Sequence, residues 1–272
     1  MENTVSMKSY LRTLYNWVSI TGFNPVTTWN TIRGLPFYFS DLLKLRSQRK
    51  MSVTPFRMGP PFICVGEKFA EGGVASGHYF HQDLLVAQRI HAHAPARHVD
   101  VGSRVDGFVA HVAAFRPVEV LDIRPLKSKS TNISFLQGDL MRPLPPELVA
   151  CTDSLSCLHA LEHFGLGRYG DPIDHDGYLK GYANLARMVL PGGRLYLSTP
   201  IGPQRIEFNA HRVFAVQTLL DMVRPQFELL RISYVDDNGD LHEDAPAESS
   251  KMSFNFGCRY GCGILELRRR AN

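Results

Sequence analysis

Short apolar runs alternate with stretches of helical spacing from about residue 81 to residue 200, and that order limits the fold more than any other feature of the chain. QDLLVAQRIHAHAP has helical spacing and is ended by Pro95. RHVDVG then reads as a strand closed by Gly102, DGFVAHVAAF as a helix, and VEVLDIRP as a second strand with an acidic end at Asp122. NISFLQGDL and CTDSLSCLHALEH supply the third and fourth strands. Residues 176–190 form an amphipathic helix before the turn PGG, and GRLYLSTP is the fifth strand. FELLRISYV and CGILELRRR complete the set. Strands alternating with helices predict an α/β domain with a mostly parallel seven-stranded sheet and helices on both faces.

Such a sheet binds ligands outside the carboxyl ends of its strands, where the strand order reverses. A glycine at position 102 lets a bound nucleoside approach the backbone closely. Asp122 then stands where a carboxylate accepts the two hydroxyls of a ribose, and Asp139, after the third strand, stands beside an adenine. The bland alternatives are an ordinary turn at Gly102 and a helix cap at Asp122. A dinucleotide-dependent oxidoreductase fits less well, because GSRVDG replaces the GxGxxG that brings backbone against a pyrophosphate.

Composition narrows the classes further. The net charge is +4, but residues 1–50 alone carry +5, so a nucleic-acid footprint across the whole fold is not expected. Five cysteines, odd in number and without paired spacing, give neither a disulfide framework nor a zinc ribbon, and Cys258 and Cys262 read as buried thiols. No apolar stretch has transmembrane length and no secretory leader is evident, which makes the cytosol the default location. Residues 1–60 are expected to form a helical extension and linker, with the main domain over 61–272. The early segment, with Leu11, Leu14, Tyr15 and Val18 at helical spacing, and the run LPFYFSDLLKLRSQRK have apolar faces and basic charge. They suit packing on the protein's own body, or peripheral contact with an anionic membrane or a protein partner.

VDVGSRVDGF, VLDIRP, FLQGDL and LARMVLPGGRLYLSTP together resemble the class I S-adenosylmethionine-dependent methyltransferases, which have a Rossmann-like fold. HYFHQD, DVGSRVDGF, LHALEHFGLGRYGDPID and FNAHRVF resemble, more narrowly, an uncharacterised methyltransferase-like family whose bacterial members are often associated with surface-glycan synthesis. The resemblance spans about residues 78–270. It implies S-adenosylmethionine as cofactor, with Asp100, Gly102, Ser103 and Arg104 at the first loop and Gly107 a further candidate there. It also implies Asp122 and Ile123 at the ribose, and Asp139 with Leu140 at the adenine. Tyr79 is a further candidate contact. Ser103-Arg104 stands where the usual second glycine would be, which leaves open weak cofactor binding or lost methyl transfer.

The segment SCLHALEHFGLGRYGDPIDHDGY places His159 and His163 as candidate general bases just beyond the fourth strand. Glu162 is a candidate to orient one of them or to contact a ligand, and Asp171 and Asp174 are candidates to hold substrate hydroxyls. His159-Ala-Leu-Glu162-His163 also matches the H-x-x-E-H of inverted zinc proteases, but it lacks the long helix that such a site needs, so no metal is expected. FNAHRVF reads as the start of a capped helix with Val213, Phe214, Leu219 and Leu220 facing the core. There His211 is an alternative base and Arg212 a candidate for an acidic substituent of the substrate. The expected activity is methyl transfer to an oxygen of a sugar or nucleotide sugar. The alternatives are a methyltransferase-like binding or assembly protein without catalysis, and a nicotinamide-dependent oxidoreductase.

Overall fold

A computed structural model describes residues 14–15, 17–54, 56–127, 129–246 and 250–271. Contacts divide the chain into two compact units, Met1–Val74 and Ala75–Asn272. In the first unit a helix α1 spans Pro25–Arg49. It starts where the Asn24 side chain accepts the Thr27 N–H at 3.0 Å and Pro25 supplies a preset φ. Leu14, Tyr15 and residues 17–20 are also helical, while Leu11 lies outside the described residues. Among the described residues no helix is long and apolar enough to cross a membrane.

The second unit is built on one sheet. Its strands are β1 (His98–Val101), β2 (Val118–Asp122), β3 (Ile133–Gln137), β4 (Thr152–Leu158), β5 (Val189–Ile201), β8 (Phe227–Val235), β9 (Leu241–His242) and β10 (Gly261–Arg269). The order is β3-β2-β1-β4-β5-β10-β8-β9, parallel from β3 to β5 and antiparallel from there on. The seven strands expected are all present, and the two-residue β9 adds an eighth at the edge. β5 begins earlier than GRLYLSTP suggested. The strand runs through the PGG sequence, and its pairing with β4 shifts register between Thr152 and Ser154.

Side chains alternate across this sheet as a strand period of two requires. Val99, Val101, Leu155, Leu195, Leu197, Leu265 and Leu267 point to one face, where α4 (Gly177–Met188) and α5 (Val216–Val223) cover them with Leu185, Met188 and Leu220. Val120, Leu158, Tyr196 and Ile264 point to the other, under α2 (His78–His93), the π-type turn Val105–Val109 and the short helix α3 (Ala110–Ala113). α2 begins four residues before the apolar run predicted, and it stops at Ala94, in left-handed conformation ahead of Pro95.

One element differs in kind from expectation. FNAHRVF is not the start of a helix: β6 (Arg205–Glu207) and β7 (His211–Val213) form an antiparallel hairpin, and α5 begins only at Val216. Val213 and Phe214 are both buried because Phe214 bridges back to Ile201 at the end of β5, which satisfies the apolar pattern without a helix.

Candidate functional site

β1 and β4 are neighbours at the centre of the sheet, and the chain crosses from one half to the other there. The carboxyl ends of β1 to β4 bound a cleft enclosing about 550 Å³ of empty space, counting its open mouth. Gly102 forms its floor with φ +72°, and a Cβ there would lie 2.9 Å from the Ala160 Cβ, so neither the conformation nor the space admits a side chain.

The turn is pinned from below. Asp100 is fully buried and accepts the Ser103 N–H at 3.1 Å and the Ser103 and Ser156 hydroxyls. Burial pushes its pKa up to about 6, against the opposing pull of Ser156 and Ser103. Asp100 and Ser103 therefore hold the turn and do not line the cleft. Arg104 does not line it either. It turns outward, with Nε 3.1 Å and Nη2 2.8 Å from the two oxygens of Asp106, beside a second hollow.

Gly102, Asp122, Ile123, Asp139 and Leu140 do line the cleft. Arg124, which sequence reasoning passed over, folds back on Asp122. Its backbone N–H and Nε donate to Oδ1 at 2.8 and 3.1 Å, and Nη2 donates to Oδ2 at 2.8 Å. The Arg124 guanidinium also lies 4.3 Å from the ring centre of Tyr169, another lining residue not foreseen. Asp139 accepts the Met141 N–H at 2.9 Å.

Beyond β4 the chain turns at His159, which has φ +48°, into a single 3-10 turn over Leu161–His163. His159, His163 and Asp171 line the cleft, whereas Glu162, Asp174, His211, Arg212 and Tyr79 do not. His159 Nδ1 is 2.7 Å from Glu162 Oε1, and both side chains are buried. Burial works against the charged forms of both groups. Cys262 and Glu162 nevertheless hold His159 well above its ordinary value, and His159 and His163 hold Glu162 low. His163 donates from Nδ1 to the Ala210 carbonyl at 2.6 Å, and burial lowers its pKa. His163 Nε2 stays 3.7 Å from Glu162 Oε1, too far for a hydrogen bond. Tyr79, half-exposed, places its ring centre 5.1 Å from that of His159.

The expected substrate contacts are largely spent on the backbone. Arg212 is buried, and its guanidinium donates to the carbonyls of Phe164 at 2.7 Å and His175 at 2.8 Å, with longer bonds to Glu162 and Asp174. The Asp171 carboxylate accepts the N–H groups of Gly165, Gly167 and Tyr169. Asp174 is paired with Lys180, which holds its carboxyl below the usual range. His211 Nε2 lies 3.2 Å from Glu207 Oε2 on the same hairpin, without hydrogen-bonding alignment. Arg212, Asp174 and His211 shape the loop and the hairpin outside the cleft, and Asp171 shapes the loop at the cleft wall.

A family described as "Caenorhabditis protein of unknown function, DUF268" matches residues 148–256. No curated protein matches the chain. Among solved structures, 1,6-didemethyltoxoflavin-N1-methyltransferase of Burkholderia thailandensis, holding 1,6-didemethyltoxoflavin and S-adenosylhomocysteine, is 16% identical. The match covers 70% of this chain and 79% of that one with a TM-score of 0.50. The [4+2]-cyclase SpnF is 15% identical over 71% of this chain and 82% of its own, also with a TM-score of 0.50. The N-methyltransferase NodS of Bradyrhizobium japonicum WM9 is 12% identical over 72% and 89%, with a TM-score of 0.48. The second unit thus has the Rossmann-like fold of the class I methyltransferases.

Proposed function

We propose that this chain is an S-adenosylmethionine-dependent methyltransferase acting on an oxygen of a sugar or nucleotide sugar. One observation carries the reading. The Gly102 turn, the Asp122 carboxylate and Asp139 meet in a single cleft at the strand-order reversal, with His163 on its wall. The cofactor bound by the Burkholderia enzyme of the same fold supports it.

The residues fit such a cofactor: a turn with no room for a side chain, a carboxylate for ribose hydroxyls, and Asp139 with Leu140 for the adenine. Bound S-adenosylmethionine supplies an electrophilic methyl group. His163 removes the acceptor's proton. Its Nδ1–H is committed to Ala210, so Nε2 is the basic nitrogen, and burial keeps the ring neutral near pH 7. The cleft wall aligns the acceptor with the methyl group. The sugar assignment rests on the narrower family resemblance of HYFHQD and the 158–174 segment. Contact with an anionic membrane or a protein partner through the N-terminal helices belongs to the same proposal, in keeping with the exposed Trp17, Ile20 and Trp29.

The Arg124 clamp on Asp122 favours a second reading, a protein that kept the fold without the cofactor, and the cyclase SpnF has a similar fold under a different name for its reaction. Calorimetric titration with S-adenosylmethionine and S-adenosylhomocysteine separates the two. Binding, followed by methyl transfer to members of a sugar-nucleotide panel, is the expected result. No heat with either ligand at high micromolar concentration supports the second reading.

A further inference from the structure

His78 at the start of α2, His159 after β4 and Cys262 on β10 come from three distant parts of the chain, and one potential ligand atom from each lies within 4.8 Å of the others. We propose that these three side chains bind one Zn(II) ion.

The hydrogen bonds around the cluster favour this use. Glu162 occupies Nδ1 of His159, which leaves Nε2 buried with only the Cys262 thiol beside it. A buried ring nitrogen beside only a thiol is weakly satisfied, and a metal ion engages it once its proton has been released. A carboxylate behind one imidazole nitrogen is also the usual way in which a metal-bound histidine is oriented and made more basic. His78 has a comparable support in a backbone hydrogen bond to Tyr260. The rings of His78 and His159 are nearly parallel, 5° apart, with centres 5.2 Å from each other. Cys262 is fully buried between two glycines, and besides the His159 ring its Sγ has the weak acceptors Gln82 Oε1 at 3.7 Å and the Gly263 carbonyl at 3.9 Å.

Zinc bonds of about 2.0 Å to nitrogen and 2.3 Å to sulfur give ligand separations of roughly 3.3–3.6 Å in a tetrahedron. The three side chains therefore need to close by at most about 1.5 Å, and His78, only partly buried at a helix end, has the freedom to do so. Three protein ligands leave a fourth position for water or an acceptor atom, as in zinc sites that take part in chemistry. On binding, Cys262 ligates as the thiolate and each histidine through a neutral nitrogen, and the displaced protons pass to solvent. This is not the arrangement that the H-x-x-E-H spacing suggested. His163 does not belong to the cluster, and Glu162 stands behind a ligand instead of acting on a water.

The test is a titration of the untagged, chelator-stripped full chain with Co(II) and then Zn(II), with no methyl donor present. The expected result is one equivalent of tetrahedral Co(II), with a sulfur-to-cobalt charge-transfer band that Zn(II) abolishes. Cys262→Ser should remove the band. Glu162→Gln should weaken Zn(II) roughly 10–100-fold, and His78→Ala should weaken it more. A wild-type chain that gives no charge-transfer band overturns the proposal whether or not the variants fold. So does unchanged Zn(II) affinity in folded Cys262→Ser and His78→Ala.

Discussion

Arg124 holds the Asp122 carboxylate through three donors, its own backbone N–H, Nε and Nη2. A ribose that is to be gripped by Asp122 must share that carboxylate or displace the guanidinium. Charged hydrogen bonds of this kind contribute about 1.5–3 kcal/mol each, so Asp122→Ala should weaken S-adenosylhomocysteine binding by roughly 10-fold or more. Arg124→Met keeps much of the apolar stem and withdraws the competitor, and it should tighten binding severalfold. Calorimetry on the two variants checks both. Weaker binding in Arg124→Met would mean that the guanidinium assists the ligand.

Gly102 is required twice over, for its left-handed φ and for its distance to Ala160. Gly102→Ala should cost about 2–4 kcal/mol from backbone strain and overpacking together. Adding Ala160→Gly removes the clash but not the strain, so the double variant should regain part of the stability and not all of it. Denaturant unfolding of the three proteins reads this directly.

His163 tests the assignment of the base. His163→Ala should abolish turnover while S-adenosylhomocysteine affinity stays within a few-fold of wild type. Burial lowers the pKa of this group, so it loses its proton below the ordinary 6.5. Activity should therefore rise with pH through a limb lying below 6.5 and be level near 7. Wild-type turnover in the variant removes His163 from the mechanism.

The parts of this site that can be read along the chain are those set by a single strand end. RHVDVG and VLDIRP place Gly102 and Asp122 because a strand, its turn and its last residue are contiguous. The Arg124 clamp and the Arg212 carbonyl contacts depend on where side chains fold back, for which residue spacing carries no signal. FNAHRVF misleads because Val213 and Phe214 look like two positions of a helical face. Their burial comes instead from a hairpin and from the bridge to Ile201. Cys262 reaches His159 only because β10 inserts antiparallel beside β5, a topological fact that sequence distance conceals.

Arg212 is a further consequence of that hairpin. Its guanidinium ties together four carbonyls of the 162–175 segment, so its loss leaves acceptors buried and the loop unsupported. Arg212→Met should cost about 3 kcal/mol or more and should lower amide-exchange protection across residues 163–175. Arg212→Lys should rescue little, because an ammonium cannot span the same set of acceptors. A variant of wild-type stability with only a raised KM for an acidic substrate would return Arg212 to the substrate.

His98 and Asp100 point to the same face of β1 and share the Ser156 hydroxyl. Ser156 gives its one proton to Asp100, so His98 Nε2 must be the donor at 3.2 Å and Nδ1 the acceptor from Ser154 at 2.8 Å. Burial lowers the His98 pKa to about 3 and raises that of Asp100 to about 6. Between about pH 4 and 6 the folded chain keeps an Asp100 proton that the unfolded chain has lost, which makes stability fall as pH rises. Over the same window the unfolded chain carries a His98 proton that the folded chain refuses, which makes stability rise with pH. The two slopes, each about 1.4 kcal/mol per pH unit, oppose each other and nearly cancel. Relative to wild type, His98→Gln should therefore lose stability on going from pH 4 to 6, and Asp100→Asn should gain it. Urea unfolding at several pH values measures the difference, and two variants with the wild-type slope would show that these groups titrate normally in the fold.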